Sequence, residues 1–167
     1  MLQQHTKKKY NIKTMTQIAM LIALSMIGAT IKVQGSIAFD SMAGFFAALY
    51  ISPLAGGMVG LLGHLLSATT AGFPMTIPMH MLVAFQMLVF IYIFGWVYEK
   101  TSSWIAILVG TFLNGPVGAL LAVPVSLMLG FGGWPLFLML WMPLTIASFI
   151  NIVLATVVYK GILRGTR

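Results

Sequence analysis

Residues 41–98 read SMAGFFAALYISPLAGGMVGLLGHLLSATTAGFPMTIPMHMLVAFQMLVFIYIFGWVY, 58 positions with no Asp, Glu, Lys or Arg. A helical bilayer crossing takes about 20 apolar residues, so this one stretch holds at least two crossings. A second uncharged run fills the 59 positions 101–159. Of the 167 residues 60% are hydrophobic and 7% charged, against roughly a quarter charged in soluble domains. The mean hydropathy is +1.01. Together these figures exclude a soluble globular domain and predict an all-α, polytopic membrane protein embedded in a lipid bilayer.

Most of the remaining charges sit at the two ends. Lys7, Lys8, Lys9 and Lys13 precede the first apolar segment, and Lys160, Arg164 and Arg167 follow the last. Positive charge marks the cytoplasmic side, so both termini are expected there and the number of crossings is even. The net charge of +7 is therefore a topology signal; a nucleic-acid groove would gather its cations on one face. A basic start followed by apolar residues also has the order of a cleavable signal peptide. The stretch from Ile18 to Val33 is at the upper length for that, and the rest of the chain is itself membrane-embedded, so the segment is read as retained.

Prolines and glycines divide the apolar runs into six helices. Helix one is expected over about 14–33, with Lys32 snorkelling to the outer surface. Asp40 and Ser41 offer N-caps for a short second helix that Pro53 ends near Ile51. Eleven residues rise only about 17 Å, so that helix needs shielding by protein or a cavity beside it. Gly56, Gly57, Gly60 and Gly63 let a third helix, ending near Thr70, approach its neighbours closely. The run Thr70–Pro78 reads as an outer loop folded back over the bundle. Helix four follows over about 79–98, and Glu99–Ser102 forms a cytoplasmic turn. Helix five starts near Trp104 and carries Pro116 and Pro124 as kink positions, and Gly130–Gly133 breaks the chain before helix six, about 134–159, with a bend at Pro143. Residues 1–13 are then a basic cytoplasmic segment, 14–160 a six-helix transmembrane domain and 161–167 a basic cytoplasmic tail.

The composition also limits the chemistry. With no cysteine there is no thiolate nucleophile and no Cys-ligated metal. The two carboxylates, Asp40 and Glu99, fall on opposite sides of the membrane, so paired acid–base catalysis is excluded. No glycine-rich phosphate loop is present to bind and hydrolyse ATP. The chain reads as a non-enzyme without cofactor or resident metal, and uphill transport would draw its energy from another subunit.

Polar side chains inside apolar helices mark either a ligand site or interhelical hydrogen bonds. His64 with Ser67 on the same helix face, His80 at the head of helix four and Gln86 two turns deeper are candidates for both. Asn114 and Asn151 read first as interhelical bonds and Asp40 first as an N-cap, with ligand contact as the alternative for each. Phe73, Trp134 and Trp141 are stacking platforms or interfacial aromatics. Apart from the two asparagines these residues gather in the outer half, where Lys32 and Asp40 are the only charges. A phosphate-rich ligand lacks counter-charge there, whereas a neutral or weakly charged aromatic body with hydroxyl or ring-nitrogen groups fits. Ala19 and Ala23 form a small-residue stripe suited to close helix packing, within the bundle or against a partner.

Several blocks in order carry a family resemblance: Ala19-Met-Leu-Ile-Ala23, Phe39-Asp40-Ser41-Met42-Ala43-Gly44, Gly63-His64-Leu65-Leu66-Ser67-Ala68 and Ala71-Gly72-Phe73-Pro74. With the short second helix and the basic ends, the chain resembles the substrate-binding S component of an energy-coupling factor (ECF) vitamin transporter. The resemblance implies a six-helix protein of the cell membrane that binds a vitamin-type molecule from outside. It further implies that Ala19 and Ala23 dock on a transmembrane coupling subunit carrying two ATPase subunits, on which the loaded S component topples. Among such components the chain is most similar to those assigned to cobalamin precursors, in particular α-ribazole. The alternative is a small autonomous channel or facilitator for an uncharged solute, assembling through the face from Gly56 to Gly63.

Overall fold

The computed structural model describes residues 11–34 and 37–165; the topology argument from Lys7, Lys8, Lys9 and Arg167 rests on positions outside the described residues. Among the described residues there are six helical rods: α1 Ile12–Gly28, α2 Met42–Tyr50, α3 Pro53–Thr70, α4 Ile77–Lys100, α5 Ser103–Met128 and α6 Trp134–Gly165. The last three are each long and apolar enough to cross a bilayer. Leu108, Phe112, Leu138, Met139 and Met142 lie exposed along α5 and α6, an apolar exterior suited to lipid rather than water. The chain is a membrane protein.

The first helix ends at Gly28 rather than near Val33. Gly28 packs directly on the backbone carbonyl of Phe39, too close for a Cβ. The β-branched residues that follow favour extended backbone. A short antiparallel ribbon results, β1 Lys32–Gln34 paired with β2 Ile37–Ala38, so Lys32 lies in a strand and not at a helix end. At its other end α4 runs on through Lys100, and the expected turn shrinks to Thr101 and Ser102, whose hydroxyl accepts from the Ile105 N–H to cap α5.

Short helix α2 is shielded by protein, as its length demands. Ala43, Gly44, Phe45, Ala47 and Ala48 are all buried, with α3, α4 and α6 packed around them. Phe45 meets Phe94 edge-on at 5.1 Å, and Ile91, Ile107 and Ile152 complete a solid core. The packing sets the directions of the rods: Val97, Ile107 and Ile152 share one cluster and Met79, Ala122 and Leu136 another, so α4, α5 and α6 alternate, while Gly95 on Pro53 and Gly63 on Ser25 run α3 against α4 and alongside α1. Lys13, Glu99, Lys100, Lys160 and Arg164 therefore lie at one end, next to this core, while the ribbon and the α3–α4 and α5–α6 turns lie at the other. The glycines of α3 make the close packing: a Cβ on Gly57 would lie 2.6 Å from the Leu88 carbonyl oxygen, and one on Gly63 would fall on the Ser25 side chain.

Pro116 changes the helix geometry without ending the helix. Lacking an N–H, it cannot bond the carbonyl four residues back, and the chain widens into a π-helical turn, Leu113–Val117, inside α5. Pro124 and Pro143, by contrast, sit within unbroken α-helix. Gly130, Gly132 and Gly133 have positive φ and form the expected break before α6.

The turn between α3 and α4 is strained. Phe73 has φ 50° and Thr76 φ 92° with ψ 154°, a region that essentially only glycine occupies, at a cost of order 1–3 kcal/mol. The buried Thr76 hydroxyl has no hydrogen-bond partner among the described residues. Thr76→Gly removes that strain while adding about 0.5–1 kcal/mol of backbone entropy to be lost, so it is expected to raise the thermal midpoint of the solubilised protein by a few degrees. An unchanged or lowered midpoint would show that the turn is relaxed.

Candidate functional site

At the end of the bundle away from Lys100 and Arg164, the rods diverge around a cavity of about 90 Å³, measured to water centres, enough for several waters. Its lining comes from the segment before α2 and from α3, α4, α5 and α6. Six of the candidates read from the sequence meet there: Asp40, His64, His80, Gln86, Asn114 and Asn151. The walls between them are apolar, with Met79, Val83, Met87, Ala122, Leu140 and Leu144 prominent. Asp40 is the one carboxylate and Lys and Arg are absent among these lining side chains.

Asp40 is not the cap of α2. Ser41 occupies that position and its side chain makes no capping bond. The Asp40 carboxylate instead pairs with His64, Oδ2 to Nδ1 at 3.2 Å, and the backbone carbonyl of Asp40 accepts from the Ser25 hydroxyl at 2.5 Å. The second nitrogen of His64, Nε2, faces His80 Nδ1 at 3.1 Å. All three residues are more than nine-tenths buried, so a chain of hydrogen bonds links three separate segments. Its far terminus, His80 Nε2, is buried and has no partner among the described residues. Leaving a buried acceptor or donor unpaired costs roughly 1–3 kcal/mol.

Three amides also line the cavity. Asn114, carried on the π-helical turn, donates to the Ser148 hydroxyl of α6 at 2.9 Å. π-turns are often found where a helix presents a functional side chain. Gln86 donates to the Gly118 carbonyl of α5 at 3.3 Å, and Asn151 donates to the Ala147 carbonyl one turn back in α6. The interhelical reading thus holds for Asn114 and Gln86, which at the same time border the cavity.

Four candidates lie outside the lining. Ser67 is buried, and its carbonyl accepts from the Thr70 hydroxyl and the Ala71 N–H. Phe73 meets His80 edge-on at 5.7 Å. Trp134 is exposed and stacks edge-on with Phe137, and Trp141 is half-buried on α6. The sequence alone does not single out Ser25 or Ser148. A serine in an apolar helix is common, and only its partner distinguishes it from a packing residue.

A bundle that encloses a small polar-ended cavity inside an apolar exterior defines a membrane protein for binding a small molecule. Residues 13–163 match the model of the ECF transporter substrate-specific component, and the chain belongs to that family. Its members bind a small-molecule substrate and work with a membrane coupling subunit and ATPases. No curated protein and no solved structure matches the chain.

Proposed function

We propose that this substrate-specific component captures α-ribazole in the Asp40–His64–His80 cavity from outside the cell and delivers it by toppling on a coupling subunit driven by two ATPase subunits. In this reading the six rods cross the membrane, both termini are cytoplasmic and the cavity opens outward. The observation that carries it is the cavity's lining: apolar walls, amides and imidazoles, and no Lys or Arg for a phosphate. A flat bicyclic base fits the apolar wall, and ribose hydroxyls match the polar ends.

The exposed face of α1 supports the docking role. Ala19 and Ala23 are both exposed, while Ile18, Leu21 and Ile22 turn inward against Ala43, Ala47 and Val59. The Gly56–Gly63 face, needed for self-assembly as a facilitator, is instead taken up by contacts with α1, α2 and α4.

Calorimetry on the purified protein is expected to give saturable α-ribazole binding at least a hundredfold tighter than riboflavin, thiamine or biotin, about 2.7 kcal/mol in binding free energy. Equal affinities, or none, would reject the substrate assignment. Reconstituted alone in liposomes the protein is expected to bind without accumulating α-ribazole. Passage across the membrane without partner subunits would favour the facilitator.

A further inference from the structure

The hydrogen-bond chain has a direction, and that direction selects a ligand chemistry. As a carboxylate Asp40 only accepts, so the proton on His64 sits at Nδ1. With that ring neutral, Nε2 is an acceptor and the His80 proton sits at Nδ1. His80 is left with a bare Nε2, an acceptor, and this atom has no partner among the described residues. The other lining segments do not reverse the polarity: α5 and α6 contribute only amides, a serine, glycine and aliphatic side chains, none of them titratable.

We propose that Asp40, acting through His64, fixes His80 Nε2 as a hydrogen-bond acceptor, so that the cavity takes a neutral or cationic ligand presenting a hydroxyl or N–H and rejects anions. Two observations converge on it. The terminal nitrogen is an unsatisfied buried group on a residue lining the cavity, and the lining holds the Asp40 carboxylate but no Lys or Arg. The inference rests on the cavity being the substrate site, and on α-ribazole only for the choice of probe. Of the three, Asp40 and His64 are positioning residues and His80 is the one that bonds the ligand.

The test joins a ligand-free readout to a binding one. Nitrogen NMR of protein labelled with 15N-histidine is expected to show His80 protonated at Nδ1 and bare at Nε2 near neutral pH. In Asp40→Asn, whose amide can donate or accept, His80 is expected to show a mixture of both tautomers. A proton on Nε2 of the unaltered protein, or an Asp40→Asn spectrum identical to it, would overturn the proposal. In calorimetry with α-ribazole, His80→Phe is expected to weaken binding about tenfold, with part of the loss recovered in His80→Gln, which keeps an acceptor. The 5′-phosphate of α-ribazole is expected to bind at least tenfold more weakly than α-ribazole itself. Equal binding of the two, or His80→Phe binding as well as the unaltered protein, would also overturn it. If α-ribazole does not bind the unaltered protein, the substrate assignment fails, and the nitrogen spectra still decide the polarity of His80.

Discussion

Tryptophan in place of Ala19 or Ala23 is expected to reduce ATP-driven uptake to background while α-ribazole affinity stays within about twofold of the unaltered protein. The reasoning follows from where α1 puts its two faces. Its inward face, Ile18, Leu21 and Ile22, packs on α2 and α3, so those positions hold the bundle together. Ala19 and Ala23 project from the other side and line no part of the cavity. Two alanines four residues apart leave a shallow strip along which another helix can approach at short range. An indole there holds that helix off by several ångströms but touches nothing that shapes the site. The check is paired: calorimetry on the isolated variant, and uptake into vesicles containing the full transporter with ATP inside. Loss of affinity in both variants would return the stripe to internal packing. Uptake at the unaltered rate would move the docking surface elsewhere.

The same substitution, glycine to alanine, is expected to have opposite effects at two places in this chain. At Gly57 the new Cβ would lie 2.6 Å from the carbonyl oxygen of Leu88. That atom belongs to helix backbone and cannot rotate away, so α3 and α4 must separate. Overpacking of this kind costs about 1–3 kcal/mol, and the thermal midpoint of the solubilised protein is expected to fall by roughly 2–12 °C. Gly161, near the end of α6, has no heavy atom within 4 Å of the added Cβ. There alanine gains about 1 kcal/mol in helix propensity, and the midpoint is expected to rise. A Gly57→Ala protein as stable as the unaltered one would mean that α3 and α4 leave room for a Cβ between them. Because Gly57 lies on the helix that carries His64 and Leu88 on the helix that carries His80, weaker α-ribazole binding is expected alongside the lower midpoint.

How much of the site could be read in advance differs from residue to residue. His64 and His80 stand out in any linear reading, because an imidazole inside an apolar helix has to be accounted for. Their connection does not, since they lie 16 positions apart and Asp40 lies 24 before His64. Asp40 looked like a cap because an Asp before a helix usually is one; the nearby imidazole competed for the carboxylate and won. Trp134 and Trp141 lie outside the cavity lining, because helix rotation is set by neighbours and not by residue type. Ser148 became visible only once the π-helical turn carried Asn114 to it.

The sequence by itself determined the membrane class, the six helical segments and the short second helix, because charge, hydropathy and proline or glycine breaks act within a few residues of where they occur. It also carried the resemblance to ECF substrate-specific components through short ordered blocks. Only the tertiary structure decided that Asp40, His64 and His80 form one hydrogen-bonded chain, that the glycine face of α3 is used up inside the protein and that Ala19 and Ala23 are left outside. Those outcomes depend on how rods far apart in sequence rotate against one another. That rotation is fixed by packing summed over the whole bundle, and no local stretch contains it.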